Sequence, residues 1–190
     1  MRTIIDLSTV REEVTRYCES LLDSHAPYGC YRSRTGGRHD LYSSLDIAIM
    51  RFIMGENLSA LPAQQRKEWI DHINSYADRY LQDGRYTDTY GHSPLHANGM
   101  VIGALGVLGG KQHYPVRLYD SFRDPERVAA WLEQIDWTNQ WKASHLFWGG
   151  MLCYSFSSAC SRDWLDAVFQ WLGKQADEKT GWWRKGVPHA

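Results

Sequence analysis

Leu95-His96-Ala97-Asn98-Gly99-Met100-Val101-Ile102-Gly103-Ala104-Leu105-Gly106-Val107-Leu108 is apolar or small nearly all the way round a helical wheel. A helix without a polar face is buried on both sides, so this stretch runs through a core between other elements. Gly99, Gly103, Gly106 and Gly110 fall three or four apart. That spacing costs helix propensity but lets neighbouring helices approach closely. Residues 41–54 and 145–156 have the same two-sided character. Between these lie one-sided segments. In the first, Trp69, Ile73, Tyr76, Ala77, Tyr80 and Leu81 share a face while Asp71, Asn74, Asp78 and Arg79 turn away. Val128, Trp131, Leu132 and Ile135 repeat the pattern, as do Trp164, Leu165, Val168, Trp171 and Leu172. Ser93-Pro94, Asp124-Pro125 and Ser161 supply start signals, a capping side chain before proline or before an acidic first turn. The alternation predicts outer and inner helices in an all-α fold of repeated helical hairpins, with no convincing strand.

The junctions match as well. Each outer segment ends in an aromatic-Leu pair (Tyr80-Leu81, Trp131-Leu132, Trp171-Leu172), followed by an acidic residue and an aromatic. A histidine then stands at or near the next inner segment: His39, His96, His145 and His189, spaced 57, 49 and 44 residues apart. Such spacing is the length of one hairpin with its loops. The repeat places His39, His96 and His145 at one end of the bundle.

Phe169-Gln170-Trp171-Leu172-Gly173-Lys174-Gln175, followed by Gly181-Trp182-Trp183, resembles the glutamine-tryptophan repeat of squalene and other triterpene cyclases, and Tyr80-Leu81-Gln82-Asp83-Gly84-Arg85-Tyr86 is a shortened version. The resemblance is to the terpenoid cyclase and protein prenyltransferase superfamily. It implies an α/α toroid, an internal cavity and an isoprenoid-like small-molecule substrate. The acid motif Asp-x-Asp-Asp of the cyclases does not occur in the chain, and no window offers the Asp, Cys and His zinc set of the prenyltransferases. Residues 1–190 read as one toroid-like domain of about three and a half hairpins, an arc to be completed by self-association or by a further carboxyl-terminal half. Trp164, Trp171, Trp182 and Trp183 are expected to lack neighbours at the open edge.

Composition narrows the class of function. Hydrophobic residues make up 43% and charged residues 23%, which excludes a disordered chain, and nine Trp with eleven Tyr demand a deep core or an aromatic-walled cavity. The formal charge of −1, with Lys and Arg scattered, gives no footprint for nucleic acid or an anionic membrane surface. The most apolar run, residues 95–110, is too short to span a bilayer. Cys18, Cys30, Cys153 and Cys160 have no Cys-x-x-Cys spacing, and the amino terminus lacks a secretory apolar core. Reduced thiols in a cytoplasmic protein are expected.

In a toroid the amino ends of the inner helices converge on one mouth of the cavity. His96, His39 and Asp40 are the catalytic candidates: a histidine paired with Asp40, or with another carboxylate, forms a general base. His145, Trp148, Asn98 and Asp46 are the substrate-binding candidates. Trp148 suits stacking on a sugar ring or shielding a cation. Asp46, inside an apolar helix, calls for a partner such as Arg51 or for a wet cavity. Three imidazoles from His39, His96 and His145 would suit Zn²⁺ if they converged. On this reading no local spacing marks a ligand set, so no metal and no cofactor is assigned. Two chemistries fit these residues: a cyclase or transferase acting on an isoprenoid, and a carbohydrate-active lyase or hydrolase with His96 or His39 as base. The third possibility is a non-catalytic binding scaffold.

Overall fold

A computed structural model describes residues 8–181. His189, Trp182 and Trp183, which the sequence repeat assigns to its fourth turn, lie outside that range. The helices are α1 (Val10–Ser20), α2 (Leu41–Ile53), α3 (Ala63–Ser75), α4 (Pro94–Leu108), α5 (Pro125–Gln134), α6 (Gln140–Phe147), α7 (Cys153–Ser155) and α8 (Arg162–Gln175). A 3-10 turn (Leu58–Ala60) precedes α3, and a π-helical turn (Trp148–Leu152) joins α6 to α7. The all-α expectation holds among the described residues, where extended pairing takes the form of isolated bridges such as Leu22 with Tyr31 and Arg32 with His39. No helix among them is long and apolar enough to cross a membrane.

The described residues divide into two compact units, one of residues 8–77, 87–90 and 100–113, the other of residues 78–86, 91–99 and 114–181. In the first, α2 packs against α1 and α3. Leu41, Leu45, Ala48, Tyr31, Trp69 and Ile73 are fully buried there, so the predicted apolar face of α3 holds as far as Ile73. The buried charge of α2 is Arg51, 4% exposed. It donates to Glu56 (Nε to Oε2, 2.7 Å) and, through Nη1, to the hydroxyls of Tyr28 and Tyr31 at 2.8 and 2.7 Å, and it forms an ion pair with Glu19 (Nη1 to Oε1, 2.6 Å). Asp46, expected to be the costly charge, is exposed. The two positions lie about 140° apart on the helical wheel, so only one of them meets the core.

In the second unit α5 packs on α8. Phe122, Val128, Leu132, Tyr154, Trp164, Val168 and Trp171 form its core. Trp164 and Trp171 are therefore not short of neighbours: they are 1% and 5% exposed. The Trp164 indole donates to the Phe122 carbonyl at 2.8 Å and the Trp171 indole to Glu133 Oε1 at 2.7 Å. α8 thus buries Trp164 and Trp171 in the core that it shares with α5.

Two other expectations change. Asn74, read as outward-facing, is buried; its Nδ2 donates to the Lys111 carbonyl at 3.0 Å and its Oδ1 accepts from His113 N–H at 3.1 Å. The third helix ends at Ser75, not at Leu81, and Tyr80 is 92% exposed. Beyond its end Asp78 Oδ1 accepts the N–H groups of Tyr80 and Leu81 at 2.8 and 3.0 Å, an alternative to helical bonding that keeps the helix from resuming.

Asp78 also marks the true register of the repeat. Its N–H donates to the Arg85 carbonyl at 2.9 Å, and Thr87 N–H donates to Tyr76 O at 2.8 Å. Fifty-five residues earlier, Asp23 N–H donates to Cys30 O at 2.9 Å and Arg32 N–H to Leu21 O at 3.0 Å. Gly29 and Gly84 occupy the same place in the two turns with φ of 96° and 92°, a region open to glycine without strain. Tyr31 and Tyr86 follow at the same offset. After α8, Asp177 Oδ1 again accepts from the next residues, Lys179 and Thr180, before Gly181 at φ 72°. After α1 and α3 the repeated device is an Asp-started clip that passes through a left-handed glycine.

Candidate functional site

The loop after α1 builds the first constellation. The Asp23 clip turns the chain so that Arg32 and His39 bridge across a small loop, and both side chains reach Asp23. Arg32 Nη2 lies 2.5 Å from Asp23 Oδ1, and His39 Nδ1 lies 3.1 Å from Oδ2. The His39 hydrogen bond, with help from the His25 N–H and the Arg32 charge, holds the Asp23 carboxyl below the usual carboxylate range. An ionised carboxylate only accepts, so Nδ1 of His39 carries the proton and Nε2 of the neutral ring is left with the lone pair. This is an oriented histidine base of the kind the sequence reading sought, with a different partner. Asp40 is occupied otherwise: it caps α2, accepting from Ser43 N–H at 2.8 Å and from Ser43 Oγ at 2.7 Å, and is buried.

His39 forms part of the wall of a cavity of about 420 Å³, shared with Arg38, Tyr76, Thr87 and Asp88. Asp88 sits at φ 57° and Tyr90 at φ 50°. Asp tolerates that conformation; a tyrosine there is strained, and strain of this kind gathers at functional sites. Asp88 Oδ2 approaches Arg38 Nη2 to 3.7 Å. Burial, then the Asp88 and Asp40 charges, push the Tyr76 phenol up to about 12, so near neutrality it is a proton donor. The site therefore holds a base, an acid, a cation and a carboxylate.

Behind His39 stands His72, its ring 5.4 Å away. Ser44 Oγ donates its hydrogen to the Asp40 carbonyl, so it accepts from His72 Nε2 at 3.0 Å; His72 Nδ1 then accepts from Cys30 Sγ at 3.2 Å. Burial, reinforced by the neighbouring His39 imidazole, lowers His72 to about 4, and burial raises the Cys30 thiol to about 11. A protonated thiol facing a neutral imidazole is a structural pair, not an activated nucleophile. Because the folded-state value is depressed, the unfolded chain binds more protons between pH 6.5 and 4, and stability falls as pH drops through that window. His72 contributes on the order of 3 kcal/mol to that loss. His72→Gln is expected to flatten urea-derived stability against pH by about one proton's worth of slope over the window. An unchanged slope would show that His72 is not the buried base.

The second constellation lies in the other unit. Ser93 caps α4, accepting the His96 N–H at 3.2 Å, and so fixes His96 in the first helical turn with His92 just before it. His145 comes from α6, a turn ahead of the π-helical segment. The ring centroids of His92 and His96 are 4.6 Å apart, those of His96 and His145 4.2 Å, and those of His92 and His145 5.4 Å. Burial first, then the neighbouring imidazoles, lower His96 to about 4, and burial lowers His145. Trp148 stands 5.5 Å from His96 and Trp141 4.7 Å from His145. The approach depends on glycine: a Cβ on Gly149 would lie 2.2 Å from the Leu95 carbonyl oxygen, and one on Gly99 would lie 2.7 Å from the Trp148 ring.

The structure thus brings His96, His145 and Trp148 together, and puts His39 and Asp40 in the other unit. Asn98 is buried, its Nδ2 donating to the Tyr119 hydroxyl at 2.8 Å. Asp46 belongs to neither cluster. Three residues escaped the sequence reading. His92 was signalled by the His-x-x-x-His spacing His92-Ser93-Pro94-Leu95-His96, a local ligand spacing after all. Asp23 was not recognised as a partner, and Tyr76 was placed on a packing face.

No protein-family model, curated protein or solved structure matches the chain.

Proposed function

We propose that this chain is an enzyme domain that carries out general acid–base chemistry on a polar, hydroxyl-bearing small molecule of the carbohydrate type. The observation that carries the reading is the Asp23–His39 pair on the wall of a cavity whose other members are Arg38, Tyr76, Thr87 and Asp88. His39 Nε2 takes a proton, Asp23 steadies the imidazolium that forms, and Tyr76 supplies a proton to the departing oxygen. Arg38 and Thr87 hold acidic or hydroxyl groups of the substrate. Such a lining suits a lyase or hydrolase better than an isoprenoid cyclase, whose cavity must be apolar to protect a carbocation. The recurring Asp-started clip after α1 and α3 supports an α/α toroid as the larger architecture.

The test is a panel of neutral and uronic-acid oligosaccharides beside isoprenyl diphosphates, read by thermal shift and by product release. A saccharide is expected to bind and turn over, with rates about 10²–10⁴-fold lower in His39→Gln, and lowered also in Asp23→Asn and Tyr76→Phe. Binding of isoprenyl diphosphates alone, or turnover indifferent to His39→Gln, would overturn the reading.

A further inference from the structure

We propose that His92, His96 and His145 form a binding site for one divalent transition-metal ion, Zn²⁺ by its ligand chemistry, with a fourth position open to water or substrate. One ring nitrogen from each histidine lies within 4.8 Å of those of the other two. Three imidazoles around a tetrahedral ion need nitrogens about 3.3 Å apart, from Zn–N distances of about 2.0 Å. Small side-chain rotations close that gap. The backbone is already in place. His92 and His96 are four residues apart on either side of the Ser93 cap, and Gly149 seats the helix carrying His145 directly on the Leu95 carbonyl.

The ligand set chooses the ion. Calcium and magnesium require oxygen donors, whereas three nitrogen donors suit zinc, cobalt, nickel and copper. Three protein ligands with an open fourth position mark zinc sites that handle a bound water or substrate, in contrast to the closed four-ligand structural sites. Trp141 and Trp148 flank the rings at 4.7 and 5.5 Å. They limit access from those sides and place two fluorophores within reach of any bound paramagnetic ion. The site shares no residue with the Asp23–His39 cavity and stands or falls without it.

The experiment is titration of the chelator-treated full chain with Co²⁺, followed by visible absorption and tryptophan fluorescence, then by Zn²⁺ competition. One equivalent of Co²⁺ is expected to produce the ligand-field bands of a four-coordinate ion and to quench fluorescence, and Zn²⁺ is expected to erase both. His92→Gln and His145→Gln are each expected to weaken binding by about 100-fold or more with helical circular dichroism intact. His113→Ala, at an exposed histidine, is the control and retains the bands. Absence of four-coordinate bands in the wild type, or their persistence in both glutamine variants, would overturn the assignment.

Discussion

Gly149→Ala is expected to destabilise the protein by about 3 kcal/mol or more, one of the largest effects of any single methyl group in this chain. The added Cβ would stand 2.2 Å from the Leu95 oxygen, 2.4 Å from its carbonyl carbon and 2.8 Å from the His96 nitrogen. All three are backbone atoms, which cannot swing aside as a flexible side chain does. The π-helical segment must therefore move away from the first turn of α4. That movement also parts His145 from His96, so the variant is expected to lose cobalt binding together with stability. Gly106→Ala is the matched control. It is exposed in α4 with nothing within 4 Å of the added carbon, and is expected to gain about 0.5–1 kcal/mol from backbone entropy. Urea denaturation of the two variants is the measurement. A near-neutral Gly149→Ala would mean that the two segments do not meet backbone to backbone.

The second large effect concerns Arg51, and the order of the variants matters more than either value. Glu19→Gln combined with Glu56→Gln leaves a guanidinium buried with no counter-charge, and is expected to cost about 3–5 kcal/mol. Arg51→Met removes the buried charge itself. It strands Glu19 and Glu56, whose side chains are 41% and 30% exposed and can be rehydrated, and it deprives the Tyr28 and Tyr31 hydroxyls of a donor. Its cost is expected to be smaller, about 2 kcal/mol. Chemical denaturation of both variants checks the ranking; Arg51→Met as the more damaging change would show that packing of the arginine stem on the Trp69 ring, 5.6 Å from its guanidinium carbon, outweighs the charge.

Helical periodicity made the cores legible. Trp69, Ile73, Val128, Leu132, Trp164, Val168 and Trp171 were all placed on buried faces from spacing alone, and all are buried. Ser93 and Ser161 were read as caps and accept the His96 and Trp164 N–H groups. What periodicity cannot see is competition from a side chain. The aromatic-apolar rhythm continues through Tyr80 and Leu81, yet the Asp78 carboxylate captures their N–H groups and the helix has already ended. The same blindness hid the site. An apolar stretch shows that one charge in α2 must be buried without telling Asp46 from Arg51. Likewise a histidine before a helix reveals nothing of the carboxylate, 16 residues back, that the clip folds onto it. The repeat put His39, His96 and His145 at one end of the bundle, but no spacing fixed that His96 would meet His145 or that His92 would join them.

The clip that recurs after α1 and α3 also bears on the order of events in time. Its defining bonds, Asp23 to Cys30 and Asp78 to Arg85, join residues seven apart, and the outer pair of bonds joins residues 11 apart. Closing such short loops costs little chain entropy and takes place within about 100 ns, far faster than the docking of distant segments. Each turn can therefore form before the helices on either side have found their partners, and it sets the direction in which the next helix leaves. The search that remains is the docking of segments far apart in the chain, as in the bonds from Asn74 to Lys111 and from Trp164 to Phe122, 37 and 42 residues apart.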